Sequence, residues 1–120
     1  ARLAMPWRKP PPAPADTNAM EARAFLEVLL RHLALLEGKA VVVLEINEHN
    51  RNDPKFVTAV NLLLSEPRFA ALKPLVSTVD VSATLTDADY YLLDDHMRPS
   101  GHAKVASVIE AELKRRGVAP

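Results

Sequence analysis

The chain has 120 residues, and because 48% of them are apolar it is long enough to form a small core or to belong to a larger domain. Fifteen lysines and arginines balance fifteen aspartates and glutamates, which excludes a strong overall field that would attract nucleic acid or an acidic membrane. Cysteine is absent, which excludes disulfides and thiolate sites, and no apolar run approaches the roughly 20 residues that span a bilayer.

Residues 1–15 are rich in proline and are predicted to form an arm or linker. Proline lacks an amide donor and favours extended polyproline conformations. The prolines of this segment are Pro6, Pro10, Pro11, Pro12 and Pro14. The pattern suits a solvated arm, and it also suits a ligand for a domain that binds proline-rich peptides.

The first predicted helix covers residues 17–37. Its apolar side chains recur every three or four residues, as expected for one buried stripe. They are Ala22, Phe25, Leu26, Leu29, Leu30, Leu33 and Leu36. Asn18 and Glu21 have the spacing of a capping box, and Gly38 stands where a left-handed residue ends a helix.

Two more helices are predicted further along the chain. One is expected to have Asp53 as N-cap and Pro54 as its first residue, and to end at the Glu66-Pro67 pair. The other covers residues 100–116 and ends at Gly117. Its inner side is expected to carry His102, Val105, Ala106, Ile109 and Leu113. Glu110 with Lys114, and Glu112 with Arg116, have i,i+4 spacing and are expected on the solvent side.

Strands are predicted over residues 40–46 and 75–82, between the helices. The first is β-branched and almost continuously apolar, which is typical of a parallel strand covered on both faces. Strands that alternate with helices predict an α/β fold with a parallel sheet flanked by helices. Since two strands make an incomplete sheet, we expect further strands from a preceding segment or a companion chain.

Two polar loops follow the predicted strands, over residues 47–53 and 83–99. In open parallel sheets, ligands bind outside the carboxyl ends of the strands. Asn47 and His49 in the first loop, and Arg98 in the second, are therefore candidate substrate-binding residues. The same residues are also ordinary for solvated loops.

His96 is the strongest catalytic candidate. It lies just before a predicted helix, and Asp94 stands two residues earlier. A carboxylate that accepts from one ring nitrogen fixes the tautomer and leaves the other nitrogen free to act as a general base. Asp95 is adjacent to His96 and would need an unusual bend to reach the ring. A loop histidine that caps a helix is the other interpretation of His96.

The run from Asp94 to Ala106 resembles the last motif of SGNH-type (GDSL-type) hydrolases, a family of esterases and acyltransferases. The matching positions are Asp94, His96, Pro99, Gly101, His102, Ala103 and Ala106. The looser resemblance in element order covers residues 18–116. By this resemblance, residues 16–117 form the C-terminal part of such a domain, with an SGNH or flavodoxin-like three-layer sheet, and His96 and Asp94 are the general base and its carboxylate.

The resemblance implies hydrolysis or transfer of an ester acyl group, such as the acetyl group of a carbohydrate ester, and a periplasmic or secreted address. It implies no cofactor. The commoner family spacing would place the aspartate at position 93, where this chain has Leu93. The family's Gly-Asp-Ser nucleophile block is absent, so the nucleophile is expected on another segment or a companion chain.

Other sites and functions are less consistent with the pattern. The spacing of His49, Asp53, His96 and His102 matches no zinc motif, so no metal is expected. A non-catalytic α/β module that binds a partner chain is the main alternative to an enzyme. A receiver-like or ligand-binding α/β domain is less consistent, because the first strand does not end in an acidic cluster.

Overall fold

The computed structural model describes residue 11 and residues 17–46, 53–94 and 96–118. The elements in chain order are α1 (Asn18–Arg31), α2 (Leu33–Leu36), β1 (Val41–Leu44), α3 (Lys55–Leu63), β2 (Val76–Val79) and α4 (Pro99–Arg115). Short 3-10 turns occupy Pro67–Phe69 and Asp87–Asp89. The predicted succession of helices and strands is confirmed, whereas the proline-rich segment lies almost wholly outside the described residues.

β1 and β2 form a parallel pair, with Val41 opposite Val76 and Leu44 opposite Val79. The amide of Val41 donates to the carbonyl oxygen of Leu75 at 2.8 Å, which fixes the register at the start of both strands. The predicted parallel pairing is confirmed. Within the described part of the chain the sheet has two strands, so each strand has one edge without a strand neighbour there.

Helices contact both faces of this small sheet. Opposite residues in a parallel pair share a face, and the next pair along lies on the other face. Val43 and Val76 belong to the larger buried cluster, which includes α1 and α3 side chains such as Leu26 and Val60. Leu44 packs against a second cluster, which includes Val105 of α4. The structure is therefore an α/β arrangement of helices around a small parallel sheet.

α1 and α2 together carry the predicted apolar stripe, since Leu33 and Leu36 lie in α2. Ala22 and Leu26 are fully buried, and the other members of the stripe are partly buried against the same cluster. The predicted continuous helix is interrupted at His32, whose φ of −108° and ψ of 25° are not helical. The predicted capping box is wrong, because the carbonyl oxygen of Thr17 already accepts from the amide of Glu21 and places Asn18 inside the first turn. Gly38 has the predicted positive φ, at 74°.

α3 begins at Lys55, later than the sequence predicts, and Pro54 rather than Asp53 is its N-cap residue. The amides of Phe56 and Val57 donate to one carboxylate oxygen of Glu45, at 3.0 and 3.2 Å. A residue that follows β1 thus satisfies two amides of the first turn, which explains why no local side-chain cap is needed.

α4 is fastened at its C-terminal end to the beginning of both strands. The guanidinium of Arg116 donates to four acceptors, which are the carbonyl oxygens of Val41, Pro74 and Leu75 and the hydroxyl of Ser77. Glu112 is only 10% exposed and pairs with Arg115. The predicted solvent-side pairing of Glu112 with Arg116 is therefore wrong, because the apolar strand starts leave carbonyl groups that Arg116 satisfies.

The remaining predictions for α4 have mixed outcomes. The pair of Glu110 and Lys114 is observed at 2.9 Å on the exposed side. Val105 is buried as predicted, but His102 and Ala106 are exposed. The first turns of α4 face the preceding loop rather than the sheet, and this rotates His102 outward.

Candidate functional site

The loop after β2 folds into a short hairpin, described over residues 89–94 and 96–98, which carries His96. Tyr90 and Met97 form an antiparallel bridge. The amide of Tyr91 donates to the carbonyl oxygen of His96 at 3.1 Å. The amide of Arg98 donates to the carbonyl oxygen of Asp89 at 2.6 Å. His96 therefore lies on the returning arm of the hairpin, three residues before α4 begins.

The hairpin lies at the end of the sheet where the strands terminate. Arg116, just beyond α4, binds the beginning of both strands. Leu44, at the end of β1, packs against the cluster that contains Val105. α4 therefore runs antiparallel to the strands, and its N-terminus lies towards their carboxyl ends. This is the edge at which α/β proteins bind their ligands.

Asp94 and His96 are in direct contact. One carboxylate oxygen of Asp94 accepts from the backbone amide of His96 at 2.9 Å and also contacts the ring Nδ1. An aspartate that binds the backbone two residues later forms an Asx turn, and the Asp-x-His spacing therefore produces the contact locally. With a proton on Nδ1, the lone pair of Nε2 is free to accept a proton.

The pair lies on an exposed surface. The side chain of His96 is 84% exposed and that of Asp94 is 51% exposed. Beside them, Leu92 and Leu93 at the tip of the hairpin are 87% and 96% exposed. The exposed tip of the hairpin therefore presents two neighbouring apolar side chains beside the Asp94–His96 pair.

Arg98 is engaged within the hairpin. Its Nε donates to the carbonyl oxygen of Tyr90 at 3.1 Å, and its guanidinium lies over the ring of Tyr91 at 5.4 Å. A cation over an aromatic face is attracted by the ring quadrupole. Arg98 thus stabilises the base of the hairpin, and its predicted contact with an anionic substrate group stays a prediction.

Three residues that the sequence analysis considered for the site lie outside the described residues. They are Asn47, His49 and Asp95. The predicted roles of Asn47 and His49 in substrate binding stay predictions.

Asp89, which the sequence did not single out, is the buried polar centre of this region. Its side chain is 2% exposed. It accepts hydrogen bonds from the amide and hydroxyl of Thr86, from the hydroxyl of Ser100 and from Nζ of Lys104. The hydrogen bond from Lys104, followed by that from the Thr86 amide, holds the pKa of Asp89 well below its usual range.

One part of this hydrogen-bond network could have been predicted from the spacing of its residues. Thr86 and Asp89 have the spacing of a capping box, and they form one around the 3-10 turn. The ion pair with Lys104 spans fifteen positions, so no local pattern indicates it.

Gly101 allows α4 to approach the hairpin. A Cβ at position 101 would lie 3.0 Å from the carbonyl oxygen of Asp89 and 3.2 Å from the Cβ atoms of Asp89 and Met97. Contacts at this distance with backbone atoms require the neighbours to move. The glycine of the Gly-His motif therefore has a structural reason here, independent of any chemistry.

Most of the serine hydroxyls have partners within the fold. Ser77 accepts from Arg116, Ser100 donates to Asp89, and Ser107 donates to the carbonyl oxygen of Ala103. Ser82 contacts the carboxylate of Asp80. These four hydroxyls are occupied, Ser82 and Ser107 in local hydrogen bonds and Ser77 and Ser100 in tertiary ones.

Residues 17–46, 53–94 and 96–118 contain no group of three or more histidine and acidic side chains arranged to hold a metal ion. In the same ranges, no helix combines the length and the apolar character that crossing a membrane requires. Comparison of the chain with models of protein families, with curated proteins and with solved structures finds no match.

Proposed function

We propose that this chain supplies the histidine and aspartate of a Ser-His-Asp site for ester hydrolysis or acyl transfer, of the kind found in SGNH-type hydrolases. The observation that carries the proposal is the contact between Asp94 and Nδ1 of His96 at the carboxyl edge of the sheet. A carboxylate in this position orients the imidazole and stabilises the imidazolium that forms during acyl transfer.

In the proposed reaction, Nε2 of His96 removes the proton from a serine hydroxyl on another segment or a companion chain. The serine oxygen forms a bond to the ester carbonyl carbon, and the carbonyl electrons move to its oxygen. When the carbonyl re-forms, the bond to the alcohol oxygen breaks and His96 returns the proton to that oxygen. Water, or the hydroxyl of an acceptor, then releases the acyl group from the serine with the same assistance from His96.

The proposed mechanism requires additional polypeptide over the Asp94–His96 pair, because a general base works best where water is excluded and the side chain of His96 is 84% exposed. The exposed leucines at positions 92 and 93 provide apolar side chains that such polypeptide would cover. The sheet of the described residues has two strands, and further strands would pair with its edges.

The substrate class rests on the resemblance. A small acyl group such as acetyl, carried on a carbohydrate or another component of the cell envelope, is the proposed substrate. The balanced charge of the chain gives no preference for a strongly anionic or cationic polymer.

The direct test measures turnover of p-nitrophenyl acetate by the complete protein, with this chain in place. We expect His96→Ala to reduce kcat by about 10²- to 10⁴-fold, the usual contribution of a general base. His102→Ala is the matched control, because it removes another exposed histidine close in sequence, and it should retain wild-type turnover. Wild-type rates for His96→Ala would eliminate the catalytic assignment.

A non-catalytic interaction module is the second candidate. The exposed leucine pair at the hairpin tip favours it, because such a surface suits a protein partner as well as a completed active site. If His96→Ala has no effect on turnover while Leu93→Ser abolishes assembly with a co-purified chain, this second function is supported instead.

A further inference from the structure

Asp89 joins three consecutive parts of the chain at the candidate site, namely the loop before the hairpin, the hairpin and α4. One carboxylate oxygen accepts from Lys104 at 2.7 Å and from the amide of Thr86 at 2.9 Å. The other accepts from the hydroxyl of Ser100 at 2.9 Å. The loop before the hairpin and the first two turns of α4 therefore meet at a single buried carboxylate.

The backbone of Asp89 continues this connection into the hairpin. Its carbonyl oxygen accepts from the amide of Arg98, and this closes the base of the hairpin. The next pairs outward are Tyr90 with Met97, and Tyr91 with His96. Each step joins the outgoing arm to the returning arm, so the position of His96 depends on how the base is held.

At the base of the hairpin, Tyr90 is buried and Met97 packs against the cluster that contains Val105. The tip of the hairpin is largely exposed, and the contact of His96 with Asp94 is local to the tip. That contact fixes the ring relative to Asp94, but it does not fix both residues relative to the sheet. The base of the hairpin supplies this second constraint, through the packing of Tyr90 and through the hydrogen bonds that hold the Asp89 carboxylate.

We propose that Asp89 is a positioning residue for His96, because its buried carboxylate clamps the hairpin that carries the Asp94–His96 pair onto the first turns of α4. Its importance for turnover rests on the proposed function. The clamp itself can be measured without any turnover.

The negative charge is central to this clamp. An ionised carboxylate only accepts hydrogen bonds, and Asp89 has donors on every side, including the ammonium of Lys104. Asparagine has nearly the same shape, but its NH₂ group would face one of these donors. Asp89→Asn should therefore loosen the contact with Ser100 or with Lys104 without creating a cavity.

The test uses ¹⁵N NMR of the 120-residue chain, which has four histidines. The signals of His96 are identified with His96→Gln. In Asp89→Asn we expect the ring nitrogen shifts of His96 and the amide shifts of Tyr91 and His96 to move, because the hairpin is no longer held in one place. A folded Asp89→Asn protein with these signals unchanged would overturn the proposal.

Glu112→Gln is the matched control. Like Asp89→Asn, it removes a mostly buried carboxylate that is paired with a basic residue. Glu112, however, lies near the C-terminal end of α4, away from the hairpin. It should leave the signals of Tyr91 and His96 in place. Movement as large as that in Asp89→Asn would show a general effect on the fold and would also overturn the proposal.

If Asp89→Asn does not fold, the same NMR measurement on Lys104→Met tests the clamp. Lys104 is 40% exposed, and its loss leaves Asp89 with its other hydrogen-bond donors. Movement of the Tyr91 and His96 amides supports the clamp, and unchanged amides overturn it. In the complete protein, Asp89→Asn should lower kcat by about 10- to 100-fold with a smaller change in KM, as expected for a misplaced base.

The two proposals fail in different ways. If His96→Ala has no effect on turnover but Asp89→Asn moves the His96 signals, the catalytic function fails and the clamp stands. If His96→Ala abolishes turnover but Asp89→Asn changes neither the signals nor kcat, the clamp fails and the catalytic function stands.

Discussion

Glu45 accepts a hydrogen bond from the backbone amide of Phe56 at 3.0 Å, across eleven positions of sequence. The carboxylate belongs to the residue that follows β1, and the amide belongs to the first turn of α3. A negative charge at a helix N-terminus is favourable, because the first amides of a helix have no partners within it. The end of β1 and the start of α3 are thereby joined.

Glu45→Ala should therefore lower the free energy of unfolding by about 1 kcal/mol, a typical cost for losing a helix cap. The measurement is urea-induced unfolding followed by circular dichroism at 222 nm. Glu110→Ala is the control, because Glu110 is 62% exposed in a surface pair and its loss should cost less than about 0.5 kcal/mol. Equal losses in the two variants would contradict a capping role for Glu45.

Gly101→Ala should destabilise the protein by about 1–3 kcal/mol, the usual cost of overpacking. Inside an open helix the same change would be stabilising by about 1 kcal/mol, since alanine is the better helix former. The sign of the effect therefore reports whether the backbone of Asp89 and its neighbours can move to admit a methyl group. A thermal or urea melt measures the change, and a variant more stable than the wild type would show that these neighbours move easily.

The stability contributed by Glu112 should depend on pH. The hydrogen bond from Arg115 lowers the pKa of Glu112 to about 2 in the folded protein, whereas an unfolded glutamate has a pKa of about 4.3. Because the folded pKa is depressed, the stabilisation is fully present above about pH 4.3 and is lost as the pH falls towards 2.

The comparison is between the wild type and Glu112→Gln, unfolded with urea at pH 7 and at pH 3. The wild type should be more stable at pH 7, by up to about 1 kcal/mol since Arg115 is largely exposed, and the difference should shrink at pH 3. A difference that stays constant or grows in acid would contradict the assignment.

The 120-residue chain should bind an apolar dye and associate, because Leu92 and Leu93 are almost fully exposed. Analytical ultracentrifugation measures the association. The Leu92→Ser/Leu93→Ser variant should be more monomeric, whereas Met20→Ser, which removes a 71% exposed side chain on α1, should behave as the wild type does. A wild-type chain that is monomeric and binds no dye would argue against an apolar binding surface at Leu92 and Leu93.

The sequence predicted those features that depend on neighbouring residues. The apolar stripe of α1, the order of the elements and the left-handed glycine at position 38 follow from local periodicity and backbone preference. The contact of Asp94 with His96 also follows from local spacing, since an Asx turn spans two residues.

The features that the sequence did not predict join distant positions. The cap of α3 comes from Glu45, and the partner of Asp89 is Lys104, fifteen positions away. His102 was expected on the inner side of α4, but the close approach at Gly101 turns the first turn of the helix towards the hairpin. Such contacts depend on the relative placement of the elements, which periodicity does not specify.

Arg116 makes the beginning of both strands depend on one side chain just beyond α4. An exopeptidase that removes residues 117–120 would leave all four of the guanidinium's hydrogen bonds intact. Removal of one more residue would release the carbonyl oxygens at the start of both strands at once. A chain shortened to end at Arg116 should therefore be more stable than one that ends at Arg115.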